Sequence, residues 1–164
     1  MLTSVSFAVT WEPIELLTTN NNAGTAAIDL TGGTYANTIY GNAGNNQLDG
    51  KQAADILVGL GGADRFAFTT ALGPDNVDRI SDFNVADDTI VLENAVFTGL
   101  AAGALGAGAF NTGSAASQAD DRIIYNAVTG ALLFDPDGAV GVPAIHFATL
   151  APGLALTGAD FVVV

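Results

Sequence analysis

Apolar residues recur in this chain with a period that fits neither a helix nor a long strand. Ile39, Leu48, Leu57 and Phe66 stand nine residues apart, with polar or small residues filling most of the space between them. Cut in nines from Gly32, the sequence reads GGTYANTIY (32–40), GNAGNNQLD (41–49), GKQAADILV (50–58) and GLGGADRFA (59–67). Glycine comes first in all four units, Asn37, Asn46, Asp55 or Asp64 sixth, and the apolar residue eighth. The preceding AGTAAIDLT (23–31) keeps Leu30 in phase but has Ile28 in the sixth place, so it reads as a first coil without a ligand. A helix would repeat its apolar positions every three to four residues and a strand every two. A longer fixed period belongs to a stacked repeat.

Each unit predicts a tight turn followed by a very short strand. Glycine at the front permits positive φ and close backbone approach. After the sixth residue the chain is extended, and alternation sends the eighth side chain inward with its neighbours outward. Two units make one 18-residue coil of a flattened parallel β-helix, which stacks Asn37 over Asp55 and Asn46 over Asp64. Stacked carboxylates and turn carbonyls repel one another unless a cation lies between them. An all-oxygen donor set of this kind favours Ca²⁺ over transition metals.

Downstream the period stops and ordinary strand signals take over: DRIIYN (121–126), a turn at Val128 to Gly130, ALLFD (131–135), AIHFATL (144–150) and DFVVV (160–164). The Gly-, Ala- and Ser-rich stretch from Gly99 to Asp120 reads as a long surface excursion with little secondary structure. Trp11, ahead of the repeats, is expected in a hydrophobic cap. The expected fold is all-β: a short parallel β-roll packed on a β-sandwich-like C-terminal tail. Its divisions are cap strands in 1–31, the roll in 32–70 and a β-rich closing region in 71–164.

Composition narrows the function. Asp and Glu outnumber Lys and Arg 17 to 4, a formal charge of −13, which excludes a general nucleic-acid or anionic-membrane binder. With 49% apolar and only 13% charged residues the chain folds rather than staying disordered. Fourteen of the 17 acids are Asp, the shorter acid that suits turns and hard-cation sites. There is no cysteine, hence no disulfide and no thiolate metal site. The N-terminus lacks the basic region and long apolar core of a secretory signal peptide. The least polar run, residues 97–110, is too short to span a bilayer, which takes ~20 residues, so no membrane insertion is expected.

The nonapeptides resemble the RTX (repeats-in-toxin) repeat G-G-x-G-x-D-x-U-x, in which calcium lies between stacked turns of a β-roll. The resemblance implies Ca²⁺ as the cofactor, with the essential carboxylates on Asp55 and Asp64 and neutral amide oxygens on Asn37 and Asn46. It implies turn carbonyls at Gly50, Gln52, Gly59, Gly61 and Gly62, and places Gly32, Thr34, Gly41, Ala43, Lys51, Ala53 and Leu60 at the same sites. The segment VDRISDFNVADDTIVLENAVF (77–97) is similar to the closing segment after the repeats in serralysin-type C-terminal domains. There, downstream aspartates complete the last calcium sites; Asp78, Asp82 and Asp88 are the matching residues, with Asp75 and Asp87 close enough to substitute. The ending Asp160-Phe161-Val162-Val163-Val164 resembles the uncleaved C-terminal signal of type I secretion substrates.

Other chemistry is not supported. DPDG (135–138) would start an EF-hand loop, but the twelfth position is His146 instead of Glu, so a hairpin turn is expected. His146 is the only histidine, in an alternating run where Ile145 and Phe147 share the opposite face. No HExxH, G-x-S-x-G or phosphate-loop motif occurs. The expected function is non-catalytic: calcium-induced folding that accompanies type I secretion of an extracellular or cell-surface bacterial protein, with a fused or associated secreted enzyme such as a metalloprotease as a candidate passenger. Its expected partners are calcium and the type I secretion machinery. A calcium-rigidified adhesion module that binds carbohydrate or a cell-surface layer is the alternative.

Overall fold

A computed structural model describes residues 1–9, 13–139 and 141–164; Trp11 lies outside the described residues. The strands are, in order, β1 (Leu2–Thr3), β2 (Phe7–Ala8), β3 (Leu16–Thr19), β4 (Leu30–Thr31), β5 (Thr38–Tyr40), β6 (Gln47–Asp49), β7 (Ile56–Val58) and β8 (Arg65–Phe68). They continue with β9 (Asp78–Ile80), β10 (Thr89–Leu92), β11 (Gly103–Ala104), β12 (Phe110–Thr112), β13 (Ile123–Asn126), β14 (Ala131–Phe134), β15 (Ile145–Thr149) and β16 (Phe161–Val163). A single 3₁₀ turn, Gly158–Asp160, precedes β16, and the described residues contain no α-helix.

Successive strands of the roll alternate between two sheets, so each pairs in parallel with the strand two places on. One sheet runs β1-β3-β5-β7-β9-β15-β14-β13-β12, the other β11-β16-β10-β8-β6-β4-β2. Register places Leu17 beside Ile39, Ile39 beside Leu57 and Leu57 beside Ile80 on one side. Leu30, Leu48, Phe66, Ile90 and Phe161 are neighbours in turn on the other. None of these side chains exceeds 2% exposure. Burying each contributes ~1.5–3 kcal/mol, and this double column is the core of the roll.

The two sheets pass through the array without a break. β9 and β10 continue the coils although the ninefold spacing has ended. β15 then pairs in parallel with β9, and β16 with β10, taking the two places of a further coil. The closing region is therefore a two-layer β arrangement edge-to-edge with the roll. Edge-to-face aromatic contacts fill the join: Phe97 lies 5.2 Å from Phe134 and 5.1 Å from Phe147, and Phe68 lies 5.0 Å from Phe147.

Two local readings of the sequence change. The excursion from Gly99 to Asp120 contains two short strands, β11 and β12, which finish one edge of each sheet. Opposite the Leu132–Leu133 step of β14 the pairing skips one residue of β15, leaving Phe147 as the extra residue of a bulge. Phe147 and Ala148 are then both buried while Ile145 and His146 are both half-buried, so the strict alternation fails there. The DPDG stretch opens the connection from β14 to β15 as a tight turn. Asp135 accepts hydrogen bonds from the Asp137 and Gly138 N–H groups, and Gly138 has φ +82°.

Candidate metal centre

The sixth residues of the repeats form two ladders, one along each edge of the roll. On the first, the Asn37 N–H donates to Asp55 Oδ1 at 2.6 Å, and the Asp55 N–H donates to Asp78 Oδ1 at 3.0 Å. On the second, the Asn46 N–H donates to Asp64 Oδ1 at 2.8 Å, and the Asp64 N–H donates to Asp88 Oδ1 at 2.9 Å. All six side chains are buried. Asp78 and Asp88 thus stand in the sixth position of the next coil, 23 and 24 residues beyond Asp55 and Asp64 instead of 18. Asp82 is placed differently: it accepts from the N–H groups of Gly59 (3.0 Å) and Leu60 (2.8 Å), an anion-binding concavity made of successive turn amides. Asp87 is exposed and bonds Asn84, and Asp75 is exposed.

The turns preceding these carboxylates differ between units. Lys51 and Ala53 have φ of +73° and +74°, Leu60 and Gly62 of +76° and +104°. These are the second and fourth places of the two units that carry Asp. In the two units that carry Asn, positions 33, 35, 42 and 44 keep ordinary φ. Left-handed backbone costs a residue with a side chain ~1–2 kcal/mol, which gives the glycines of the repeat pattern their purpose. Ala53→Gly and Leu60→Gly should each stabilise the domain by up to ~1 kcal/mol, the relief of strain outweighing the extra freedom of glycine in the unfolded chain. A higher urea midpoint at unchanged slope checks this.

At the first place of each unit there is no room for a β-carbon. At Gly50 it would overlap Asp55 Oδ2, at Gly59 Asp64 Oδ2, at Gly32 Asn37 Oδ1 and the Gly50 carbonyl, and at Gly41 Asn46 Oδ1 and the Gly59 carbonyl. Oxygens therefore crowd against bare Cα atoms at the front of every turn. Among the hydrogen bonds of the described residues, none uses the carbonyl oxygens of Gly50, Gln52, Gly59, Gly61 or Gly62. Asp55 Oδ2 is buried without a hydrogen-bond partner. Thr34 and Ala43 occupy exposed third places in the Asn-bearing turns.

Electrostatics follow from this crowding. Burial pushes the Asp55 carboxyl up to about 8, with the Asp78 and Asp49 carboxylates adding to the effect of desolvation. Burial likewise raises Asp78 to about 7 and Asp64 to about 6, and raises Asp88. In each case backbone N–H donors offset part of the rise. Asp49 is a participant the repeat pattern did not reveal, because it stands in the ninth place, where the pattern demands nothing. It is buried, accepts from the Lys51 N–H and Thr69 hydroxyl, and lies 3.0 Å from Lys51 Nζ.

A buried carboxylate oxygen with no donor, beside unused carbonyls and repelling carboxylates, is an anionic cradle that a hard cation completes. Among the described residues no three His, Cys, Asp or Glu side chains converge, so turn carbonyls must supply much of any coordination. Those donors are all oxygen, which fits Ca²⁺. The fold and these turns define a parallel β-roll of calcium-binding repeats. The chain carries the RTX calcium-binding nonapeptide repeat in four copies, the family model matching residues 31–66. The comparison with curated proteins finds no relative.

Proposed function

We propose that this chain is a non-catalytic folding module, ordered by Ca²⁺ outside the cell and exported through a type I secretion route. The observation that carries the reading is Asp55 Oδ2, buried and unpartnered in a left-handed turn of an RTX repeat. Where Ca²⁺ is scarce, mutual repulsion of Asp55, Asp78, Asp64 and Asp88 opposes closure of the coils. Where it is around millimolar, even weak extracellular-type sites fill. An ion that binds only the folded state then stabilises it by ~2.7 kcal/mol per site at a hundredfold excess over its dissociation constant.

The export half of this reading takes its signal from β16, a strand that the fold buries. Phe161 and Val163 are 2% exposed, and β16 lies between β10 and β11. Asp160 is tied back to the Thr157 N–H and hydroxyl. A signal in these residues is readable only before the sheet closes. Asp88 immediately precedes β10, the strand on which β16 docks, so ordering of the Asp88 turn and burial of the terminus are adjacent events. The RTX repeats fit a bacterial secreted protein. No helix among the described residues is long and apolar enough to cross a membrane.

Two measurements test the reading. Far-UV circular dichroism during a calcium titration should show a cooperative gain of β signal near or below millimolar Ca²⁺ that Mg²⁺ does not reproduce. Fused to a passenger in a host with a type I exporter, the chain should carry the passenger into the medium, and a version ending at Asp160 should not. Retention of both fusions inside the cell would remove the export half. Calcium-dependent binding on a glycan array would move the adhesion reading to the front.

A further inference from the structure

The two coils of the array differ in kind, and the difference assigns them separate tasks. In the coil of residues 32–49 the buried asparagines of the turns, Asn37, Asn42 and Asn46, are satisfied within the protein. Asn37 Oδ1 accepts from the Gly33 N–H at 3.1 Å and its Nδ2 donates to the Ile14 carbonyl. Asn46 Oδ1 accepts from the Asn42 N–H at 2.8 Å, and its Nδ2 donates to Asn42 Oδ1 at 3.2 Å. Asn42 itself bonds the Ala26 carbonyl (2.9 Å) and the Gly44 N–H (2.8 Å). The amide NH₂ groups thus supply the positive ends that a cation would otherwise bring. The one charged side chain of this coil, Asp49, is paired with Lys51 of the next, and its turns contain no positive φ. In the next coil Asp55 Oδ2 has no partner and three of the turn residues with side chains sit in left-handed backbone.

We propose that the Asn coil folds without any ion and acts as a preformed template for the calcium coil. It rests on the lead-in strands, with the Gln47 N–H donating to Asp29 Oδ1 at 3.0 Å and the Thr19 hydroxyl to the Gly41 carbonyl at 3.1 Å. Toward the next coil it offers the Asn37 and Asn46 N–H groups, which receive the Oδ1 atoms of Asp55 and Asp64. One oxygen of each carboxylate is held by the template, leaving the other for the ion. Calcium dependence is thereby confined to residues beyond Gly50, and order spreads from the Asn coil toward the C-terminus. The inference rests on the calcium reading above.

Hydrogen exchange of the full chain, in EDTA and in CaCl₂, tests it residue by residue. In EDTA the Thr38 N–H, bonded to Glu15, should be protected at least ~100-fold more than those of Asp64 and Thr89, the gap closing in calcium. If the two coils gain protection together on adding calcium, the template is overturned while calcium-dependent folding stands. If neither responds, both ideas fall. The double substitution Asn37→Asp with Asn46→Asp should strip the first coil of its protection in EDTA and restore it in calcium. Protection that persists in EDTA after that exchange would also overturn the template.

Discussion

Asp55→Asn should raise stability in EDTA at pH 8 and abolish most of the gain that calcium gives the parent. The substitution keeps the oxygen that accepts from the Asn37 N–H and exchanges the unpartnered Oδ2 for an NH₂ group. In the metal-free protein that removes a buried charge repelled by Asp78 and Asp49. An uncompensated buried carboxylate is among the most destabilising features a fold can carry. With calcium the sign reverses, because a neutral amide binds the ion weakly and cannot chelate as a carboxylate does. The parent should gain ~2.7 kcal/mol for each site at a hundredfold excess over its dissociation constant, and the variant should lose that share. Asp64→Asn should behave alike on the other edge, with a smaller gain in EDTA because Asp64 is raised less, to about 6. Denaturant melts of parent and variants, with and without calcium, check both signs. A variant weakened equally in both conditions would make the ladder a hydrogen-bonding device only.

The roll was legible where the period is strict. Glycine at every ninth place fixes the turns, so the eighth residues Ile39, Leu48, Leu57 and Phe66 had to point inward, and all four are fully buried. The coils made by β9 and β10 were less legible, since 14 residues separate Asp64 from Asp78 and 10 separate Asp78 from Asp88. The extra length forms loops such as 69–77, where Thr70 bonds the Lys51 carbonyl and Asn76 holds Thr70. Likewise, the difference between Asn and Asp turns is invisible in the pattern, because Tyr35 and Ala53 occupy the same place yet only Ala53 has positive φ. A glycine consensus marks where left-handed backbone is allowed. Whether the chain adopts it depends on what the side chain in the sixth place needs as a partner. An Asn closes the turn with its side-chain oxygen and gives its NH₂ to a protein acceptor; an Asp leaves an oxygen seeking a cation. The bulge at Phe147 escaped for a related reason: it answers to pairing with β14, a contact from elsewhere in the chain.

The same balance predicts an inverted response to acid. An Asp in the unfolded chain titrates near its ordinary 3.8, whereas in the fold burial and like charge raise Asp55 to about 8, Asp78 to about 7 and Asp64 to about 6. Between pH 8 and about pH 4 the folded state therefore binds more protons than the unfolded one, and stability must rise as the pH falls. Protons neutralise the ladders as calcium would. In EDTA the melting temperature should climb as the pH is lowered from 8 toward 5. In calcium the ligands stay ionised and binding releases protons, so the ion's contribution should be largest at pH 8 and shrink on acidification. Relief of the overall charge of −13 would also favour the folded state in acid, but across the whole surface. Asp55→Asn separates the two causes, since it leaves most of the net charge and removes the most raised group; its EDTA curve should be flatter than the parent's. A parent whose melting temperature in EDTA falls from pH 8 to 5 would show that the ladder carboxylates are solvated in the metal-free protein, and the repulsion on which the calcium switch depends would be gone.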